Sequence, residues 1–538
     1  MRANILGLAN GAGSRFTGAS WVKGMSQMLK SSGAMGAATL ASRLLGMVRE
    51  MVYARFMGDG WVASAFVLAL MIPSLFRRLL GEGALTAAFI PIFKDKEKNA
   101  GEAEMWKAAN AVICGLVVAG AIITGLAIYG VSLVLLYDFT TGETRLMLQL
   151  LRVMFPYMLL ACLAAIFMGM LNARGRFFIP ALGALVMNVV MICSALFLAP
   201  RMGISLQTQI YGLAIGILVA GAAQAAFQLP ALRNQGFRFA WVSPWRDPVV
   251  REVARKMVPG AIGVAAFQLN VVITQSLAFW LDKEIVASFN YAVRLMELPQ
   301  GVFGISLATY MLPTLAGLVA ERKYDTFRST LQQGLGYLWF INLLASVLLL
   351  VLAQPIIRLL FERGAFTAES TERAALALAC LAPGLVAFST VNILARAFYA
   401  LGDTRTPMRV SVFCLGLNVL LAIPLVLSFK QGGLGIANTL SAMVNVGLLF
   451  YALRRSLKTF DLGGLKKTGL AMLGASVAAG LTAWITLYFW EKSLGHHGLM
   501  LQVGAVFVPS LAAAAVYWGV GLAAKVPEAR ARRFTGVA

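Results

Sequence analysis

The chain has 538 residues, 59% of them hydrophobic and only 13% charged, with a mean hydropathy of +0.78. Soluble globular domains carry about 25% charged residues, so a water-soluble fold is excluded. The formal net charge of +23 then belongs to a membrane protein, in which surplus lysine and arginine mark the cytoplasmic side and no nucleic acid partner is needed.

Apolar runs long enough to cross roughly 30 Å of hydrocarbon as helices recur along the whole chain. They are continuous rather than alternating, which excludes a transmembrane β-barrel. Backbone polar groups in lipid must be satisfied within each segment, so the predicted class is an all-α polytopic membrane protein. Residues 1–30 hold Arg15, Lys23 and Lys30 without a sustained apolar core, and they are predicted to form a cytoplasmic leader rather than a cleavable signal. Fourteen spans are predicted after it, near 34–57, 61–93, 108–137, 147–173, 179–200, 206–232, 257–281, 284–316, 328–353, 372–400, 406–428, 434–455, 466–490 and 498–524. The second and eighth are long and interrupted by proline and glycine, which predicts kinks.

The chain also looks doubled. "LNARGRFFIP" at 171–180 lies 227 residues before "FYALGDTRTP" at 398–407, matching Ala173 with Ala400, Gly175 with Gly402 and Pro180 with Pro407. Pro73 and Pro299 stand 226 apart in the two long spans. The predicted organisation is a six-helix bundle over 31–232, a basic linker over 233–256, a second six-helix bundle over 257–460, two additional helices over 461–524 and a basic tail over 525–538. Internal repeats around a central site are a common transporter plan.

Charge sets the orientation. Alternate loops beginning with the N-terminal leader carry 30 lysines and arginines, and the intervening loops carry nine. The bias places the first set, with both termini, in the cytoplasm, facing anionic lipid. Seven basic residues remain inside the spans: Arg43, Arg49, Arg55, Arg77, Arg78, Arg294 and Arg396. Arg55 and Arg396 lie near span ends. Each of the other five costs roughly 2.5–3.5 kcal/mol at mid-membrane on insertion scales, so such groups face a protein interior or a wet cavity.

Only three acids accompany those five arginines. In "SRLLGMVRE" (42–50), Arg43 and Glu50 are seven apart and nearly share a helix face. In "PSLFRRLLGEGALTAAFIP" (73–91), Arg78 and Glu82 are four apart and Arg77 is left over. In "YAVRLMELPQG" (291–301), Arg294 and Glu297 are three apart. Two readings stay open at this point: internal salt bridges that staple the helices, and a cationic cavity for an anion. The surplus of positive charge favours the second, and guanidinium suits phosphate because its planar fork donates two hydrogen bonds at once. Cys114, Cys162, Cys193, Cys380 and Cys414 lie in apolar spans without paired metal spacing, and His496–His497 fall in a loop. No metal site, cofactor or nucleotide-binding loop is expected.

Taken together, "SRLLGMVRE", "PSLFRRLLGEGALTAAFIPIF", "YAVRLMELPQGVFGISLATYMLPTL", "LFERGAFT" and "RAFYALGDTRTP" resemble the bacterial lipid II flippase family, of the MurJ or MviN type. That family sits within a larger superfamily of multidrug, oligosaccharidyl-lipid and polysaccharide exporters. The resemblance runs from about residue 28 to the last helix. It implies two six-helix bundles in a V, with two C-terminal helices lining a groove for a lipid tail. It implies a substrate, undecaprenyl-diphosphate bearing the cell-wall disaccharide-pentapeptide, and cell-wall synthesis proteins as partners in the bacterial inner membrane. It also implies that Arg43, Arg49, Arg78 and Arg294, with Arg77 beside them, bind the substrate, and that Ser42, Glu50, Glu82 and Glu297 support the cavity. Ser64 and Val293 stand where many relatives have Asp.

Two other functions compete. A cation-coupled multidrug or polysaccharide-precursor exporter of the same superfamily would favour acids in the cavity, the opposite of the balance here. A membrane glycosyltransferase acting on the same lipid would need a placed base, and the short external loops show no convincing site. The expectation is a transporter rather than an enzyme. The resemblance raises a sodium site on the seventh, eleventh and twelfth spans, but those spans carry no Asp or Glu; Asn418 and Asn438 offer neutral oxygens only. The predicted drive is therefore the membrane potential, with proton coupling through Glu50, Glu82 or Glu297 as the alternative.

Overall fold

The computed structural model describes residues 40–81, 84–137, 142–245, 247–457 and 463–530. The predicted leader over 1–30, Glu82 and the end of the basic tail lie outside the described residues. Among those described, every regular element is helical. The first helix, α1, covers 40–57. It is followed by α2 (Trp61–Phe76), α3 (Ala84–Asn99), α4 (Gly101–Leu136), α5 (Gly142–Met154), α6 (Tyr157–Ala173), α7 (Phe178–Cys193) and α8 (Leu206–Arg233). The second half holds α9 (Pro248–Leu281), α10 (Ile285–Pro299), α11 (Ser306–Ala320), α12 (Tyr324–Val351), α13 (Ala353–Phe361), α14 (Ala368–Leu381), α15 (Gly384–Ala400), α16 (Arg405–Phe429) and α17 (Gln431–Leu457). The chain closes with α18 (Gly463–Ser493) and α19 (Leu499–Ala523).

Among the described residues, 11 helices are long and apolar enough to cross a membrane, or 12 if the bent pair α14–α15 is one span. The expected fourteen are not reached by that measure. The two left over are the expected first span, which begins outside the described residues, and the expected seventh, in which side chains 259–267 are not described.

Both long spans are broken where their prolines predict. A π-helical turn, Arg77–Gly81, follows α2 and its Pro73, and a second, Gln300–Ile305, follows α10 and its Pro299. Proline removes a backbone donor and crowds the preceding turn, and the wider π turn, often found at functional sites, absorbs the mismatch. The repeat extends to backbone detail. Gly175 (φ +74°) and Gly402 (φ +79°) both end a helix in the left-handed region. The same closing bond recurs 227 residues on, from Arg176 N–H to Leu171 O at 2.8 Å and from Asp403 N–H to Phe398 O at 2.9 Å. Pro156 and Pro383 occupy the matching breaks before α6 and α15.

The helix starts differ from the expected spans for local reasons. α9 begins inside the predicted linker, because Asp247 caps it by accepting from Val249 N–H at 2.8 Å and Pro248 suits the first helical position. The rest of that linker runs along α4, where Asn110 Nδ2 donates to Arg238 O at 2.9 Å. One apolar core is drawn from both halves: Ala54, Ala65 and Leu68 pack with Phe279, Ile285 and Tyr291. α18 and α19 pack together and against α12, where Tyr517 Oη donates to Phe340 O at 2.8 Å.

Candidate functional site: a cationic cavity between the halves

A cavity of about 380 Å³ lies where α1, α2 and the first π turn face α9 and α10. Among the described residues its wall includes Arg49, Arg77, Arg78 and Arg294, and two acids, Glu50 and Glu297. Among the described residues, four guanidinium groups face two carboxylates. Four of the five predicted span arginines thus face one cavity.

Glu50 joins the two halves. It is 6% exposed and pairs with the neighbouring Arg49, while Arg294 Nε from α10 approaches the same carboxylate at 3.8 Å. Arg49 also donates to Asn188 Oδ1 at 3.0 Å and lies 6.0 Å from the centre of the Tyr53 ring. Arg294 Nη1 reaches Glu297 Oε2 at 2.9 Å, the predicted i,i+3 pair. Arg78 Nη1 donates to Gln268 Oε1 on α9 at 3.0 Å. Its predicted partner, Glu82, lies outside the described residues.

Two sequence-based expectations change. Glu50 is bound by Arg49 and Arg294 rather than by Arg43, since the adjacent arginine is long enough to fold back over it. Arg43 is not in the cavity wall: its guanidinium lies against Gly301 in the second π turn, so close that a Cβ at Gly301 would stand 2.0 Å from Nη1. Ser42 contributes its backbone carbonyl, which accepts from Asn188 Nδ2 at 3.3 Å. The reading of the residues missed Tyr53, Asn188, Gln268, Gln275 and Asn290, which line the cavity or hold its arginines. A search for neutral polar side chains inside apolar spans, and not for charges alone, would have found them.

A smaller cavity of about 180 Å³ adjoins the first within the second half, lined by Asn270, Thr274, Gln275, Glu297 and Asn438. The seventh, eleventh and twelfth spans supply no carboxylate, as their sequence requires, but the eighth brings Glu297 to this wall. That carboxylate is engaged by Arg294. Asn418 Nδ2 donates to Asn438 Oδ1 at 3.0 Å.

The family model described as lipid II flippase MurJ matches residues 53–504. The chain is 30% identical over 498 residues to a probable lipid II flippase MurJ of Vibrio cholerae, covering 88% of this chain and 94% of that one. It is 32% identical over 464 residues to the lipid II flippase MurJ of Burkholderia cenocepacia, covering 84% and 89%. Among solved structures, a lipid II flippase MurJ in an inward closed conformation superposes with a TM-score of 0.72 at 23% identity, over 90% of this chain and 98% of that one. An inward-facing multidrug MATE transporter superposes with a TM-score of 0.61 at 17% identity, over 78% and 96%. These two superpositions show a shared fold.

Proposed function

The chain belongs to the lipid II flippase MurJ family, and on that premise we propose how its cavity works. The protein is a multi-pass membrane transporter rather than an enzyme, and lipid II is its substrate. The cargo is undecaprenyl-diphosphate carrying the disaccharide-pentapeptide, moved from the inner to the outer leaflet of the bacterial inner membrane by alternating access. The diphosphate is held by Arg49, Arg78 and Arg294, with Arg77 beside them, while Arg43 lies outside the wall against Gly301. The observation that carries this reading is the pairing of Glu50 with Arg49 of one half and Arg294 of the other. A buried cation needs a counter-charge, and Glu50 fills that place while no anion is bound. An arriving diphosphate offers more acceptor oxygens and takes over both arginines. The cavity volume lies near the lower end of small-ligand sites, so the halves part to admit the sugar and peptide.

Orientation follows from the charge bias between alternate loops: both termini are cytoplasmic, and the turn 58–60 is external. The lipid tail lies along α18, which exposes Leu470, Val477, Leu481 and Phe489, and α19, which exposes Phe507 and Leu511. Membrane potential supplies the drive. The substrate anion leaves a negative interior, and the emptied cationic cavity returns inward; each elementary charge crossing is worth roughly 2.3 kcal/mol per 100 mV. The test is depletion of the protein in its own cell, with lipid II accessibility measured on each face of the membrane. Accumulation on the cytoplasmic face is expected. Normal external exposure with failed polymerisation would instead identify a polymerising enzyme.

A further inference from the structure

Just beyond Met57 of the cavity wall, the two halves are tied by contacts that lie outside that wall. We propose that Asp59 and Arg373 form an ionic latch that holds the external face shut and sets how readily it opens. The inference rests on the orientation proposed above for the word "external" alone; the junction itself is in the structure. Arg373 of α14 grips Asp59, in the α1–α2 turn, with two bonds, Nε to Oδ2 at 2.8 Å and Nη2 to Oδ1 at 2.7 Å. Asp59 is 2% exposed. The pair joins the two halves of the chain, and it is absent from the cavity wall.

The latch is built to release. Arg373 Nη1 also meets Glu284 at 3.2 Å and Glu369 at 2.9 Å, and both acids belong to its own half. When the halves part, Arg373 keeps two carboxylates, so no cation is stranded, and Asp59 moves from a buried pair into water. Removing one partner of a desolvated pair leaves the other uncompensated; here the geometry supplies a replacement on one side and solvent on the other. Neutral contacts surround the pair at the same end. Tyr291 Oη donates to Gly58 O at 3.0 Å, Ala365 N–H to Arg55 O at 2.9 Å and Ala287 N–H to Ser64 Oγ at 3.0 Å. Ser64 offers the junction an uncharged acceptor, so the ionic tie there is made by Asp59. Gly58 (φ +62°) lets the backbones meet, since a Cβ there would stand 2.6 Å from Ala365 O.

The latch is tested by the reach of a membrane-impermeant maleimide to the cavity in intact spheroplasts. The reporter is Val67→Cys, on the cavity wall, in a chain whose five native cysteines are replaced. Asp59→Asn and Arg373→Gln should each speed labelling about tenfold, as expected when a closed state loses a buried pair. Gly58→Ala should do the same by crowding, and it serves where a charge variant does not accumulate. Glu369→Gln, which takes from Arg373 a carboxylate of its own half, should leave the rate near that of the parent. Parent rates in Asp59→Asn and Arg373→Gln at normal expression would overturn the latch, as would an equal effect from Glu369→Gln. A separate His497→Cys reports the orientation. If that cysteine is reached only after permeabilisation, the orientation is wrong, and the same latch variants are then read from the opposite face.

Discussion

Arg294 brings a guanidinium of the second half into the cavity, where it touches both Glu50 and Glu297. Arg294→Ala removes a fork that no neighbour replaces. Truncating a charged partner of this kind costs about 2–5 kcal/mol, so flipping should fall at least about thirtyfold while the protein still inserts. Arg294→Lys should recover part of the activity, because an ammonium keeps the charge and loses the planar pair of donors. Complementation of a depleted strain, with expression checked by immunoblot, reads both; normal growth of Arg294→Ala would remove the clamp. Glu50→Gln makes a different prediction. It strands Arg49, so the unliganded protein should lose about 3 kcal/mol of stability, and its melting temperature in detergent should recover when pyrophosphate is added. The arginines themselves were legible in the sequence, because a charge in an apolar span has few explanations. Their partners were less so. Glu50 is seven residues from Arg43 and one from Arg49, and helical spacing favours the first, but side-chain length and the approach of α10 decide for the second.

At the scale of elements, the kinks, the repeat and the apolar spans were visible because proline, glycine and hydropathy act locally. The short helix α13, Ala353–Phe361, was not, since it continues an apolar run after a break at Leu352 and forms against α14 and α19. The paired turns give a direct check. Replacing Gly175 or Gly402 by Val forces a β-branched residue to a positive φ, at roughly 1–2 kcal/mol each, and the two effects should add because the turns are separate. Thermal melts of the single and double variants measure this. Near the first of these turns, Glu97 accepts from Lys94 at 2.6 Å and pairs with Arg174, which also binds Glu102 at 2.7 Å. The Lys94 hydrogen bond, helped by Arg174, holds the Glu97 carboxyl below its ordinary value. A depressed carboxyl contributes stability that is present above the unfolded value of about 4.3 and lost as the pH falls through the folded one. Glu97→Gln should therefore flatten the fall in melting temperature on acidification below about pH 4.5, and an unchanged acid limb would show that the cluster is not coupled to folding.

The molecule as a whole joins a cationic cavity between two halves, an ionic tie between those halves at the α1–α2 turn and two further helices packed on α12. A chain ended before residue 460 should still insert its earlier helices and lose transport, as judged by cysteine labelling and complementation; full activity from a stable truncated protein would remove the lipid-tail role of α18 and α19. The proposed drive is tested separately from the binding. Export should stop when the potential is collapsed and continue when sodium alone is withdrawn. The most direct test of the central claim uses the purified protein in liposomes with lipid II initially confined to the inner leaflet and an imposed potential, negative inside. A membrane-impermeant amine reagent outside scores the pentapeptide as it emerges. Steady emergence is expected with the intact protein, loss of it in Arg49→Ala and Arg294→Ala inserted to the same level, and arrest when the potential is removed. Emergence at the intact rate from both arginine variants would contradict it.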